Sequence, residues 1–279
     1  MKNKEKQLSE FEEALLEHKD IIIPHYMSAT SVKRELRSLK SPVLSRYTAN
    51  QDPEVRKDLI YEHLVRDNSA RIQEISIILE ACNCKLWKSY MELGCGWGIV
   101  CSSMAKNIFS REDKDECRLL TVDFKDNRIT NGLTSRTRQK NIRDIIEKKQ
   151  YNNWSHSDIG ADDYFKNNKP KLDVAFIDGD HSFKQTTKDW DNVSSCLSNN
   201  GIVFMHDLTM RTQSKKYPAV ALKAFELIPD EEWDKYILDT PFRLGVVHRK
   251  SAEDTKEWLH EKIKYLNIKV RPWEKRRDK

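Results

Sequence analysis

The segment SYMELGCGWGIV, residues 89–100, constrains the fold more than any other part of the chain. A strand-like apolar run ends in Gly94, Gly96 and Gly98. After it, Val100, Cys101, Met104, Ala105 and Ile108 recur at the spacing of one helical face. Glycines between a strand and a helix let the backbone turn sharply and lie against a ligand with no Cβ in the way. The dinucleotide fingerprint Gly-x-Gly-x-x-Gly would need glycine at position 99, where the chain has Ile99. No Gly-Lys-Ser/Thr follows, so a lysine-bearing phosphate loop is excluded as well. A plain strand-to-helix turn stays open on this segment alone.

The surrounding pattern alternates. Ile72, Ile75, Ile78, Leu79 and Cys82 predict a helix over 69–83. Strands are predicted at 118–124 (RLLTVDF), 172–178 (LDVAFID) and 201–207 (GIVFMHD), the last preceded by a turn at Asn199-Asn200-Gly201. Helices are predicted at 135–149, 183–197 and 217–228, and a closing hairpin around Pro241. Such alternation implies right-handed crossovers and a mostly parallel sheet. Residues 1–68 read as a helical extension, with DIIIPHY (20–26) as a buried connector. Residues 69–250 read as the main domain and 251–279 as a helix with a basic tail.

Composition narrows the setting. Of 279 residues, 38% are hydrophobic and 33% charged, enough for a core with much charge left on helix surfaces. The net charge of +5 is spread along the chain rather than gathered into the basic stripe of a nucleic-acid binder. The segments 31–47 and 269–279 are the basic exceptions, best read as a solvated helix face and a tail. The cysteines Cys82, Cys84, Cys95, Cys101, Cys117 and Cys196 show no paired zinc spacing, and several sit in apolar patterns as reduced thiols. A charged N-terminus without the apolar run of a signal peptide, and no span of about 20 apolar residues, point to the cytoplasm and away from membranes.

The strand after the glycine loop ends in Asp123, an acid at the edge where such sheets bind ligands and where it can accept bonds from both ribose hydroxyls. With Glu92-Leu93-Gly94-Cys95-Gly96-Trp97-Gly98, this resembles the class I S-adenosylmethionine-dependent methyltransferases over roughly 69–250. The resemblance implies a Rossmann-like seven-stranded sheet, mostly parallel, with helices on both faces and an antiparallel last strand. It implies that Glu92, Gly94, Cys95, Gly96, Gly98, Asp123 and Phe124 build the S-adenosylmethionine site. It implies that NWSHSDIGADDYF supplies Ser157 and Asp158 near the adenine amino group, with Asp158 assigned to it and Asp162 and Asp163 close by, and that Asp178 completes the set.

The abrupt ending of LDVAFIDGDHSF in Asp178-Gly179-Asp180-His181 resembles a branch of small-molecule O-methyltransferases related to sugar and antibiotic enzymes. In metal-dependent relatives, the positions matching Asp178, His206 and Asp207 bind Mg²⁺. A histidine beside two carboxylates suits Mn²⁺, Fe²⁺ or Zn²⁺ better, and metal-free operation is also open. Methyl transfer to a hydroxyl needs alignment and removal of a proton. Asp178, Asp180 and His181 are the candidate catalytic residues, with His181 the better base by its ordinary pKa. For Asp180 and His181, capping of the helix that starts near Ser182 is the competing reading.

The expected activity is O-methylation of a sugar, polyketide, phenol or similar metabolite. RNA or protein methylation is a second reading, against which stand a missing Asn/Asp-Pro-Pro-Tyr segment and a missing Pro-Cys nucleophile. A non-catalytic cofactor-binding protein is a third, and oxidation a fourth. The amino-terminal helices are expected to serve as a lid or a homo-oligomer surface.

Overall fold

The computed structural model describes residues 21–22, 52, 72–123, 133–208 and 220–271. Most of the predicted amino-terminal extension, 1–68, and the tail beyond 271 lie outside them. The elements in chain order begin with α1 (Ile72–Asn83), β1 (Ser89–Leu93), α2 (Ile99–Phe109), β2 (Arg118–Val122), α3 (Leu133–Lys149) and β3 (Trp154–Ser157). There follow α4 (Ala161–Asn167), β4 (Leu172–Ile177), α5 (Phe183–Ser194), β5 (Leu197–Met205) and α6 (Val220–Glu226). The chain closes with β6 (Trp233–Leu238), β7 (Leu244–Arg249), α7 (Glu253–Tyr265) and β8 (Val270–Arg271).

One sheet carries all the strands, in the order β3-β2-β1-β4-β5-β7-β6-β8. Strands β1 to β5 pair in parallel, and β7 runs antiparallel between β5 and β6. This is the expected Rossmann-like sheet with its reversed last strand. The two-residue β8 adds an edge that sequence reading does not anticipate.

The central strands are apolar on both faces because both are covered by helices. Tyr90, Val174, Phe176, Ile202 and Phe204 point into one core with Ile75 and Ile78 of α1, Met104 of α2 and Leu259 of α7. The alternate residues Met91, Ala175, Ile177, Val203 and Met205 point into the other core, against Trp190 and Val193 of α5 and Phe225 of α6. Ile21 and Ile22 bury against the first core, as expected of the DIIIPHY connector.

The Asn199-Asn200-Gly201 turn is corrected: strand β5 begins at Leu197 and runs through it. Register explains the difference. Leu172 pairs with Leu197 but Val174 with Ile202, so extra residues of β5 bulge between the two pairs. The displaced Asn200 carbonyl accepts hydrogen bonds from Trp87 Nε1 (2.6 Å) and Thr255 Oγ1 (2.8 Å). These bonds, with the edge-to-face contact of Trp87 and Trp258 at 4.7 Å, dock α7 on the sheet.

The sheet order reverses direction between β1 and β4, and there the glycine loop must pass very close to the end of β4. Gly94 has φ +88°, and a Cβ on it would lie 2.2 Å from the Asp178 carbonyl oxygen. Gly96 has φ +52° with nothing within 4 Å of its Cβ position. Gly94→Ala is expected to destabilise the protein by about 3 kcal/mol or more through the backbone clash. Gly96→Ala should lower stability by only about 1 kcal/mol. Thermal melts of the two variants check this, and equal losses would refute the packing argument.

Candidate active site

The parallel ladder continues one residue past the end of each strand. Asp123 N donates to Ser157 O, Gly94 N to Val122 O, Asp178 N to Leu93 O and His206 N to Ile177 O, at 2.9–3.1 Å. The hydrogen bonds of the sheet thus bring the ends of β2, β1, β4 and β5 into one row. A cavity of about 590 Å³ opens over this row. Gly94, Gly96, Trp97 and Asp123 line it, with Asp178, Gly179 and Asp180 beside them.

Asp123 Oδ2 accepts the Gly96 amide at 2.9 Å, tying the acid of β2 to the loop after β1. The position where Gly96 would carry a side chain is open space, so backbone can approach a ligand there. Glu92 lies beneath the loop and is buried. Burial, helped by the Asp178 and Asp123 charges, raises its carboxyl well above the usual range, and its Oε2 has no hydrogen-bond partner among the described residues. Cys95 turns its thiol inward toward the carbonyls of Glu92 and Val122, and Gly98 packs beneath the loop against Ile142. Glu92, Cys95 and Gly98 therefore support the cavity from below rather than line it. Trp97 both lines the cavity and packs in the core, its carbonyl held by the Asn141 side chain.

Two expected positions have other partners in the structure, and one lies outside the described residues. Asp158 is absent from the cavity wall and forms an ion pair with Arg143 at 2.6 Å. Its neighbours Asp162 and Asp163, raised by the short helix α4, reach the wall instead. His206 lies against both Asp178 and Asp207, with Nδ1 3.5 Å from Asp207 Oδ1, and each of its ring nitrogens faces a carboxylate. Nδ1 is 2.8 Å from Asp178 Oδ1 and Nε2 is 3.1 Å from Glu74 Oε2. Phe124 lies outside the described residues.

The donor set that does converge is Asp178, His181 and Asp207, with ligand atoms within 4.8 Å of one another. His181 Nε2 is 3.4 Å from Asp207 Oδ2 and 3.9 Å from Asp178 Oδ1. Asp207 adopts a left-handed conformation, φ +58°, and its buried Oδ1 accepts no hydrogen bond among the described residues. Its charge is met by His206 Nδ1 at 3.5 Å, and two carboxylates beside an imidazole are a donor set that suits a divalent cation. The helix-capping reading of Asp180 is partly met. Asp180 Oδ1 accepts the Ser182 amide at 2.8 Å while the side chain still borders the cavity, and Ser182 itself caps α5 through Gln185 N.

Electrostatics distinguish these groups. Burial opposes charge on His206, but the Asp178, Glu74 and Asp207 carboxylates overrule it and the imidazole is pushed up to about 11. Burial raises the Asp207 carboxyl against the pull of His206 and His181. On the far wall, burial pushes Asp189 up to about 6 although Gln185 Nε2 donates to it at 2.9 Å. The same Gln185 nitrogen donates to Asp162 at 3.2 Å. Sequence reading misses Glu74, Gln185 and Asp189. On a helix each looks like one more polar surface residue, and only the 185/189 spacing, one turn apart on α5, hints at a shared face.

Comparisons with known proteins agree with this geometry. Residues 91–208 match a protein family described as a methyltransferase domain. Among solved structures, the fold is similar to a Staphylococcus aureus protein provisionally named a caffeoyl-CoA O-methyltransferase, with TM-score 0.54, 15% identity, and coverage of 72% of this chain and 94% of that one. It is also similar to an O-methyltransferase from Bacillus cereus in complex with S-adenosylhomocysteine (SAH), with TM-score 0.51, 13% identity and coverage of 80% and 97%. A third is the SAH-bound methyltransferase of Podospora anserina, with TM-score 0.52, 13% identity and coverage of 79% and 94%. At such identities the likeness carries the fold. No curated protein matches the sequence. Residues 91–208 thus match a methyltransferase domain and lie on the fold that these structures share.

The raised Asp189 carboxyl has a consequence for stability. Its folded pKa, about 6, lies above the ordinary 3.8, so the folded state holds the proton more tightly than the unfolded one. Stability from this group is full below pH 3.8 and is lost as pH rises through 6. Asp189→Asn is expected to match the native protein near pH 4 and exceed it by about 2 kcal/mol at pH 8. Chemical denaturation at the two pH values measures the difference, which should be absent if the carboxyl titrates normally.

Proposed function

We propose that the protein transfers a methyl group from S-adenosylmethionine to a hydroxyl of a small molecule such as a sugar, polyketide or phenol. One observation carries this reading: the glycine loop, Asp123 and Asp178 stand in one row under a single cavity. In this reading Asp123 accepts the ribose hydroxyls, Gly94 and Gly96 let the backbone approach the donor, and Asp162 or Asp163 meets the adenine end. Asp178 lies beside the positively charged sulfur.

The charge of the cavity supports a small acceptor over a nucleic acid. Its charged lining consists of Asp123, Asp162, Asp163, Asp178, Asp180 and Asp189, with no lysine or arginine among the described residues. Such a wall repels a polyanion and favours a sulfonium. The volume is that of a small-molecule site. The amino-terminal extension is proposed as the cover of this cavity. Its Ile21 and Ile22 are anchored in the core that α1 shares, and α1 carries Glu74 to the edge of the site.

In the reaction the sulfur–methyl bond breaks as the acceptor oxygen–methyl bond forms, leaving S-adenosylhomocysteine and a proton. Asp180 and His181 are the groups proposed to take that proton. Asp178, His181 and Asp207 would hold a divalent ion, which when bound lowers the pKa of the acceptor hydroxyl and fixes its orientation. With His181 engaged as a ligand, Asp180 is left as the base.

Isothermal titration with S-adenosylhomocysteine tests the reading. The expected result is binding in about the micromolar range, and a loss of about a hundredfold or more in Asp123→Ala. A wild-type protein that binds neither donor nor product would end this proposal.

A further inference from the structure

His206 occupies an unusual position for a residue next to a candidate ligand set. Its ring bridges two carboxylates from distant parts of the chain, Asp178 at the end of β4 and Glu74 on α1. Glu74 is fully buried and saturated. Its Oε1 accepts from Thr240 Oγ1 (2.8 Å) and Phe242 N (3.1 Å), while Oε2 faces His206 (3.1 Å). Thr240 Oγ1 in turn accepts the Leu244 amide at 3.0 Å, which ties the chain of bonds to the start of β7. The ring is held edge-to-face by Phe176 and Phe242, with centroids at 5.8 and 5.9 Å.

These contacts leave His206 no free nitrogen, so it cannot reach donor, acceptor or cation itself. They do fix Asp178. A carboxylate one residue past β4 could rotate freely, but Oδ1 is pinned by Nδ1 of His206 while the residue still lines the cavity. A group whose own orientation is fixed by buried partners holds geometry better than one left to solvent.

We propose that His206 is the positioning residue for Asp178 and that Glu74, anchored by Thr240 and the Phe242 amide, holds His206 in place. This deepens the reading of the same site given above and rests on it. Helix α1 and the turn between β6 and β7 thereby become part of the site without touching any ligand. Loss of the Nδ1 contact frees the Asp178 carboxylate, whereas loss of the Nε2 contact alone does not.

Two substitutions separate this role from a structural one. His206→Asn keeps a nitrogen near the place of Nδ1 and loses the bond to Glu74. His206→Gln puts its amide near the place of Nε2 and loses the bond to Asp178. Both break one link of a buried chain, so their melting temperatures should fall by similar amounts. Affinity for S-adenosylhomocysteine, measured by isothermal titration, should fall about tenfold in His206→Gln and recover most of the wild-type value in His206→Asn.

Asp178→Ala serves as the reference and should weaken binding at least as much as His206→Gln. Equal affinities in the two His206 variants, or affinities that simply follow melting temperature, would overturn the positioning role while leaving the methyltransferase reading intact. An unchanged affinity in Asp178→Ala would also overturn it. A wild-type protein that fails to bind the product would overturn both, and so marks the other failure.

Discussion

The structure depends on one close approach. Where the sheet order reverses between β1 and β4, the loop at Gly94 passes so near the Asp178 carbonyl that a single methyl would lie 2.2 Å from it. That contact, with the amide bond from Asp178 N to Leu93 O, sets the ends of two neighbouring strands in register. The same ladder then carries Asp123 on one side and His206 on the other into line. The site is therefore a product of sheet geometry. Asp123, Asp178 and His206 follow directly on strand ends, which are fixed by cooperative hydrogen bonds and two packed cores.

Placing so many acids together creates an electrostatic problem, and burial and ion pairs shift several of them in different directions. Burial and its charged neighbours raise the carboxyl of Glu92, under the loop, well above the usual range. Asp189 is pushed toward neutrality on the far wall. Asp162 is held below its ordinary value by an ion pair with Lys188 and a bond from Gln185. Asp178 and Glu74 face the two nitrogens of His206, and the carboxylates push that imidazole up. What remains is a wall lined by acids and partly compensated behind it by Lys188, Gln185 and His206.

Much of this could be read from residues in order. The glycine spacing, the strand ending in Asp123 and the apolar run ending in Asp178 each follow from local patterns, and the alternation of strands and helices gives the sheet. The failures share a cause, which is distance along the chain. The Asn199-Asn200-Gly201 segment has the residues of a turn, yet Trp87 and Thr255 claim the Asn200 carbonyl and keep it in the strand. His206 has the chemistry of a ligand, and its contact with Glu74, 132 residues earlier, has no local signal. Asp158 has the expected place after β3, but Arg143 draws it away and α4 presents Asp162 and Asp163 in its stead.

The most direct test of the account is a crystal structure of the protein soaked with S-adenosylhomocysteine. The account predicts the ribose on Asp123 beside the Gly96 backbone and the thioether sulfur next to Asp178. Density for the nucleoside away from this row, or a row blocked by the protein's own side chains, would contradict it.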